Sequence, residues 1–179
     1  MRRPLPVLAV ALSLLAGCTG GGTPPMKLTV TSTAFEEGQT IPDRYKYKEG
    51  KSVSPPLQWG DPPPATRSFV VICDDPDAPR KTWVHWVLFN LPADTRSLAE
   101  GVPPEKSLPS GACQGTNDFG EIGYGGPAPP PGKPHRYYFK VYALDTMLDL
   151  KPGATRQQVE KAMKEHVLAE GQMMGKFSR

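Results

Sequence analysis

The chain has 179 residues, 38% hydrophobic and 22% charged, with a formal net charge of +3, enough for one domain with a core of its own. Its 22 Pro and 18 Gly interrupt helices too often for a helical bundle, a coiled coil or a helical solenoid, and suit short strands joined by structured loops. The apolar content is too high for a wholly disordered chain, and there is no collagen period.

The N-terminus reads as a targeting segment. Arg2 and Arg3 precede an apolar run, Val7 to Leu15, and Ala16-Gly17-Cys18 follows. A basic start, a short apolar run and small residues before a cut describe a secretory signal, and the run is too short for a permanent membrane span. Cys directly after Ala-Gly resembles a bacterial lipobox. Residues 1–17 are therefore expected to be removed and Cys18 to be lipidated. Residues 18–26, with TGGGTPP at 19–25, are expected to act as a flexible tether, and 27–179 to form the domain. The expected location is extracytoplasmic, on a membrane of the bacterial envelope, held by acyl chains with no protein segment crossing. The removed segment carries two Arg and no acid, which leaves 19 Lys and Arg against 18 Asp and Glu. No electrostatic footprint for nucleic acid remains. Cys73 and Cys113 could form a disulfide outside the cytoplasm. Unpaired thiols are the expectation, because nothing in the sequence brings the two together. Without a Cys-x-x-Cys, neither a thioredoxin-like motif nor a Cys-based zinc site is indicated.

Along the domain, Lys27 to Ser32 alternates in β-prone steps and Ser54 to Trp59 is a Pro-bounded extended segment. Ser68 to Cys73 (SFVVIC) and Trp83 to Asn90 (WVHWVLFN) are apolar runs of buried-strand length. Pro92 to Pro134 is a Gly/Pro-dense stretch, expected to be functional or to hold short strands of its own. Arg136 to Leu144 (RYYFKVYAL) is rich in aromatic and β-branched residues and predicts a strand. Thr155-Arg-Gln-Gln158 fits a capping box. Val159, Ala162, Met163 and Val167 then share one helical face, Gly171 is a plausible stop, and Gln172 to Ser178 returns as a last strand. No long extension is expected after it.

Three clusters carry chemistry. Asp74-Asp75-Pro76-Asp77-Ala78-Pro79 follows a strand directly; these are also ordinary turn residues. In Trp83-Val84-His85-Trp86, alternation places Trp83 and His85 on one face; a lone His in an apolar strand is as readily structural. Gly123 to Pro127 leads through Pro131 to His135-Arg136-Tyr137, with His135 and Tyr137 on one side of a strand. Its Gly run permits close backbone approach and an N–H nest for an anion. Two His, a Tyr and several Asp could converge on a small oxyanion, with a carboxylate fixing an imidazole tautomer. The same groups could bind a divalent metal, but no metal-ligand spacing favours that.

Asp75-Pro-Asp77-Ala-Pro79, Trp83-x-His85, Gly126-Pro127 and Gly132-x-x-His135-Arg136-Tyr137 resemble the signatures of the phosphatidylethanolamine-binding protein family. Ser54-Pro-Pro-Leu-x-Trp59, Asn117-Asp118-Phe119-Gly120 and Tyr124-Gly-Gly-Pro127 resemble its bacterial, Raf-kinase-inhibitor-like branch. The resemblance runs from about Leu28 to Arg179. It implies a mainly β, compact, Greek-key-like sandwich: a large antiparallel sheet on a smaller one, with a C-terminal helix. It implies a pocket for phosphate-like and carboxylate-like anions, including phospholipid headgroups, formed by Asp75, His85, Gly126, Pro127, His135 and Tyr137, with Asp77 and Trp83 at the rim. It implies no cofactor, and it makes the Pro79 peptide a candidate cis bond. Extra prolines in Ala128 to Pro134 depart from the eukaryotic pattern at the pocket mouth.

The expected function is thus non-catalytic binding of a small anion or a phospholipid headgroup. The alternative is inhibition of an extracytoplasmic protease through surface loops; a cytoplasmic kinase would rarely meet an anchored extracytoplasmic protein. A hydrolase is a third possibility for His, Asp and Tyr, but no Gly-x-Ser-x-Gly elbow is present.

Overall fold

A computed structural model describes residues 25–179. The expected signal, the expected lipidation at Cys18 and nearly all of the expected tether lie outside the described residues. The chain forms β1 (Met26–Lys27), β2 (Val30–Thr31), β3 (Leu57–Trp59), β4 (Ser68–Asp75), β5 (Trp83–Pro92), β6 (Ser97–Leu98), β7 (Cys113–Gln114), β8 (His135–Leu144), α1 (Arg156–Met163) and β9 (Val167–Phe177). Six strands make one sheet in the order β1-β9-β8-β4-β5-β7, and β2-β3-β6 make a second. All neighbours pair antiparallel except β1 with β9, a parallel pair at the edge.

The large sheet is covered on both faces, which is why its central strands read as continuous apolar runs rather than as alternation. Phe69, Val71 and Cys73 of β4 join Leu57 and Trp59 in the core between the sheets. Val70 and Ile72 face the other way and pack with Val159 and Met163 of α1. Burial raises the Cys73 thiol pKa, leaving an inert small hydrophobe. Cys73 and Cys113 are both unpaired.

The C-terminal expectation needs correction. The capping box is present: the Thr155 hydroxyl accepts from the Gln158 N–H, and the Gln158 carboxamide accepts from the Thr155 N–H. The helix, however, ends at Met163, and Val167 opens β9 instead of continuing the helical face. Pairing of β9 with β8 along nearly its whole length outweighs local helical periodicity. Gly171 lies inside that strand rather than at a helix stop. A Cβ there would meet the Leu28 carbonyl oxygen at 2.2 Å, so the residue is Gly because another backbone runs against it. The peptide at Pro79 is trans, like every peptide among the described residues; the Asp75–Trp83 turn is held by side-chain bonds instead. The long Gly/Pro stretch does hold strands of its own, β6 and β7.

Candidate functional site

The β4–β5 pairing contains an irregularity that builds the site. Cys73 faces Trp86 and Asp74 faces Val84, so His85 is passed over in the register. An extra residue in one strand is a β-bulge, and bulges re-aim side chains. Here Trp86 turns into the core between the sheets while Val84 packs on the other face, and His85 joins Trp83 in lining a cavity. From β8, His135 and Tyr137 reach the same cavity, as alternation requires. From the end of β4 comes Asp75.

These groups form a cavity of about 340 Å³, lined also by Ala78, Pro79, Arg80, Phe119 and Ala128 to Pro130. Asp75 is 3% exposed and both its oxygens are engaged. Oδ2 accepts from His135 Nδ1 at 2.7 Å, and Oδ1 accepts from the Asp77 N–H at 2.8 Å. The carboxylate therefore fixes the His135 tautomer and leaves Nε2 for a ligand. His85 has its Nδ1 2.6 Å from the Gly125 carbonyl oxygen, to which it donates. Burial lowers its pKa, against the opposing pull of the Gly125 and Gly126 backbone and the Asp75 charge. A neutral His85 then presents an accepting Nε2, which turns donor when the ring takes up a proton as an anion binds.

Tyr137 is 1% exposed, yet its hydroxyl has no hydrogen-bond partner, and the indole N–H of Trp83 has none either. The Asp75 carboxylate and the Ala128 backbone lie close enough to the hydroxyl to influence it without closing a bond of good geometry. Burial first, and the Asp75 charge second, push the Tyr137 pKa well above its ordinary value, so the hydroxyl keeps its proton and remains a donor. Buried donors without partners are uncommon and need an explanation; two of them belong to residues that line one cavity.

Of the expected residues, Asp75, Trp83, His85, His135 and Tyr137 are brought together. Gly126 and Pro127 do not line this cavity themselves but adjoin it, Gly126 beside His85 and Pro127 next to the lining residue Ala128. A Cβ on Gly126 would meet the Tyr45 carbonyl oxygen at 2.1 Å, and the Pro127 carbonyl accepts from the Tyr47 N–H. Both pack against the Tyr45 to Tyr47 backbone, and the Gly126 backbone lies against His85. Asp77 is also outside the lining. It accepts from Arg136 Nε at 2.8 Å, from the second guanidinium branch at 2.7 Å and from the Arg136 N–H, clamping the turn after β4 to β8. The Arg136 bonds hold its carboxyl down to about 2.

Phe119 and Arg80 were not expected in the lining. The Phe119 ring packs edge-on against His85 and Trp83, with centroids at 5.5 and 5.4 Å. It is carried by Asn117, whose side chain accepts from the Phe119 and Glu121 N–H groups. The sequence signals were a lone aromatic in an Asn/Asp/Gly stretch and the place of that stretch among the motifs of the resemblance. A wider hollow of about 710 Å³, lined by Lys27, Glu37, Lys140 and Glu170 among others, contains no unpartnered buried donor. Among the described residues, no group of three or more His, Cys, Asp or Glu is placed to hold a metal ion.

The match to known proteins agrees with this geometry. Residues 31–178 match the family model described as phosphatidylethanolamine-binding protein. The chain belongs to that family. A UPF0098 protein of Methanothermobacter thermautotrophicus is 49% identical over 152 residues, covering 85% of this chain and 99% of that one. The UPF0098 protein YbhB of Escherichia coli is 41% identical over 158 residues, covering 84% and 100%. The crystal structure of E. coli YbcL, described as a member of the mammalian PEBP family, superposes with a TM-score of 0.79 at 34% identity, covering 86% of this chain and 99% of that one. The PEBP homologue CT736 of Chlamydia trachomatis gives 0.76 at 40% identity, covering 86% and 98%. The two-sheet fold with its short helix is thus the family fold.

Proposed function

We propose that the chain is a non-catalytic binding protein for small phosphate-like anions, held at an extracytoplasmic membrane through Cys18. The observation that carries this reading is the pair of unpartnered donors, Tyr137 Oη and Trp83 Nε1, beside a His135 whose Nδ1 is committed to Asp75. Buried donors without protein acceptors, on two residues that line one cavity, suit a ligand rich in acceptors, and charge-assisted bonds to an oxyanion are the strong ones. The lining holds no Ser, Thr or Cys, so the His135–Asp75 pair has no nucleophile of its own to activate.

The test is a calorimetric titration of the protein with inorganic phosphate and with phosphoethanolamine, beside His135→Ala and Tyr137→Phe. The parent should bind saturably, and each variant about tenfold more weakly or worse. Tyr137→Phe should melt at or above the parent temperature, because it removes an unsatisfied buried hydroxyl. A folded parent that binds neither anion overturns the reading.

A further inference from the structure

The charges around the cavity point to a particular kind of anion; this step rests on the anion reading above. Asp75 and His135 form a closed pair, and burial keeps His85 toward its neutral form. Arg80 is the remaining charged side chain in the lining. It is exposed and makes no ion pair with a carboxylate among the described residues, whereas its neighbour Lys81 is 2.9 Å from Asp118. Arg80 also stands at φ 78°, in the left-handed region that Gly enters freely and other residues rarely do. The turn thus carries a cation at the cavity mouth where its backbone geometry favours Gly. Such outliers gather at ligand clamps.

We propose that Arg80 is the specificity-determining residue, selecting the doubly charged phosphate monoester of a small molecule over a zwitterionic phosphodiester headgroup. At a given distance a dianion gains twice the Coulomb energy of a monoanion from the same guanidinium. An ethanolamine ammonium, by contrast, would need a free carboxylate. Both oxygens of Asp75 are occupied. Asp118 is held by Lys81 and by the Val84 N–H. An ammonium at the mouth meets Arg80 instead. The walls of Pro79, Ala128, Pro129 and Pro130 offer no side-chain acceptor for an ammonium. The volume of about 340 Å³ is near the lower end for small-molecule sites and leaves little room for acyl chains.

The experiment titrates the full chain, Arg80→Gln and Arg80→Lys at pH 7.5 with methyl phosphate and dimethyl phosphate. The first is a dianion there, its second pKa being near 6; the second is a monoanion. The parent should prefer methyl phosphate by about tenfold. Arg80→Gln should lose about fivefold or more of the methyl phosphate affinity while changing dimethyl phosphate by less than about twofold. Arg80→Lys should retain most of the preference. A preference that survives Arg80→Gln, or an equal loss for both esters, overturns the role of Arg80 and leaves the anion site standing. A parent that binds both esters equally overturns the selectivity alone. A folded parent that binds neither overturns the anion site and this inference with it.

Discussion

At the scale of single residues, the site is kept in shape by groups that do not line it. Asp77 is the clearest case. Three bonds from Arg136 hold its carboxyl at about 2, below the unfolded value near 3.9, so the folded state favours the ionised form. A depressed carboxyl stabilises fully above the unfolded pKa and loses that contribution as the pH falls through the folded one. Asp77→Asn should therefore lower stability by about 1 kcal/mol at pH 7, after allowance for the solvent around the pair. The difference from the parent should shrink between about pH 4 and pH 2. Denaturant melts of both proteins across that range check it; a gap that stays constant to pH 2 would mean the ion pair does not stabilise the turn. The turn in question runs from Asp75 to Trp83 and carries Arg80, so its looseness should appear in ligand selectivity as well as in stability.

At the scale of elements, local irregularity matters more than regular secondary structure. The bulge at His85 is a single extra residue, yet it decides which way Trp83, His85 and Trp86 point. It also lets the Gly125 N–H reach the His85 carbonyl at 2.8 Å while Gly125 accepts from the imidazole. Gly125 to Pro127 thus runs past His85 beside Tyr45 to Tyr47; a Cβ on Gly126 would meet that backbone, and one on Gly125 would meet the Phe119 ring at 2.6 Å. Gly126→Ala places a Cβ 2.1 Å from the Tyr45 oxygen and should cost about 3 kcal/mol or more, with loss of soluble protein. Gly60 has open space around it and no positive φ, so Gly60→Ala should be neutral or stabilise by about 0.5 kcal/mol. Thermal melts of the pair test this; equal behaviour would contradict the close approach. The outer side of β9, which the short edge strand β1 pairs only at Ala169 and Glu170, is similarly managed by its neighbours. Leu28, Gly38 and Ile41 donate to Glu170, Met174 and Lys176, and the Glu37 carboxylate accepts from the Met174 N–H, which blunts an otherwise open template for strand addition.

At the scale of the whole molecule, β4 divides two functions between its faces. Asp75 ends on the cavity side; Asp74, 1% exposed, points to the opposite one. There its Oδ2 lies 2.8 Å from Lys140 Nζ and 2.9 Å from Arg156, joining β4, β8 and α1 at one point. Arg156 also pairs with Glu160 one helical turn along. Asp74→Ala leaves two partly buried cations facing one another and should destabilise by about 3 kcal/mol. Replacing Lys140 with Met in the same background should recover part of that loss, because the repulsion is then relieved. Chemical denaturation of the single and double variants checks the sign; an Asp74→Ala protein as stable as the parent would show the cluster to be no more than surface decoration.

The legibility of this protein followed the range of the interactions involved. The apolar runs became β4 and β5, Arg136 to Leu144 became most of β8, and Thr155 and Gln158 closed the predicted capping box, because each depends on residues a few positions apart. Period-two alternation put His135 with Tyr137 outright, and it paired Trp83 with His85 without showing the bulge on which that placement depends. The same logic failed where a distant partner intervened. Helical periodicity through Val167 lost to pairing with β8, Gly171 was small to admit Leu28 rather than to stop a helix, and Gly126 was small to admit the Tyr45 backbone. Phe119 reached the cavity through a loop whose path is set by the buried Asn117, a path that no periodicity encodes. By itself, then, the sequence determined the strands, the cap, the two side-chain pairs and the family resemblance, all matters of local spacing and residue type. Only the tertiary structure decided the bulge that aims His85, the closure of Asp75 onto His135, the orphaned hydroxyl of Tyr137 and the open guanidinium of Arg80, because each depends on which remote groups are left with partners and which are left without.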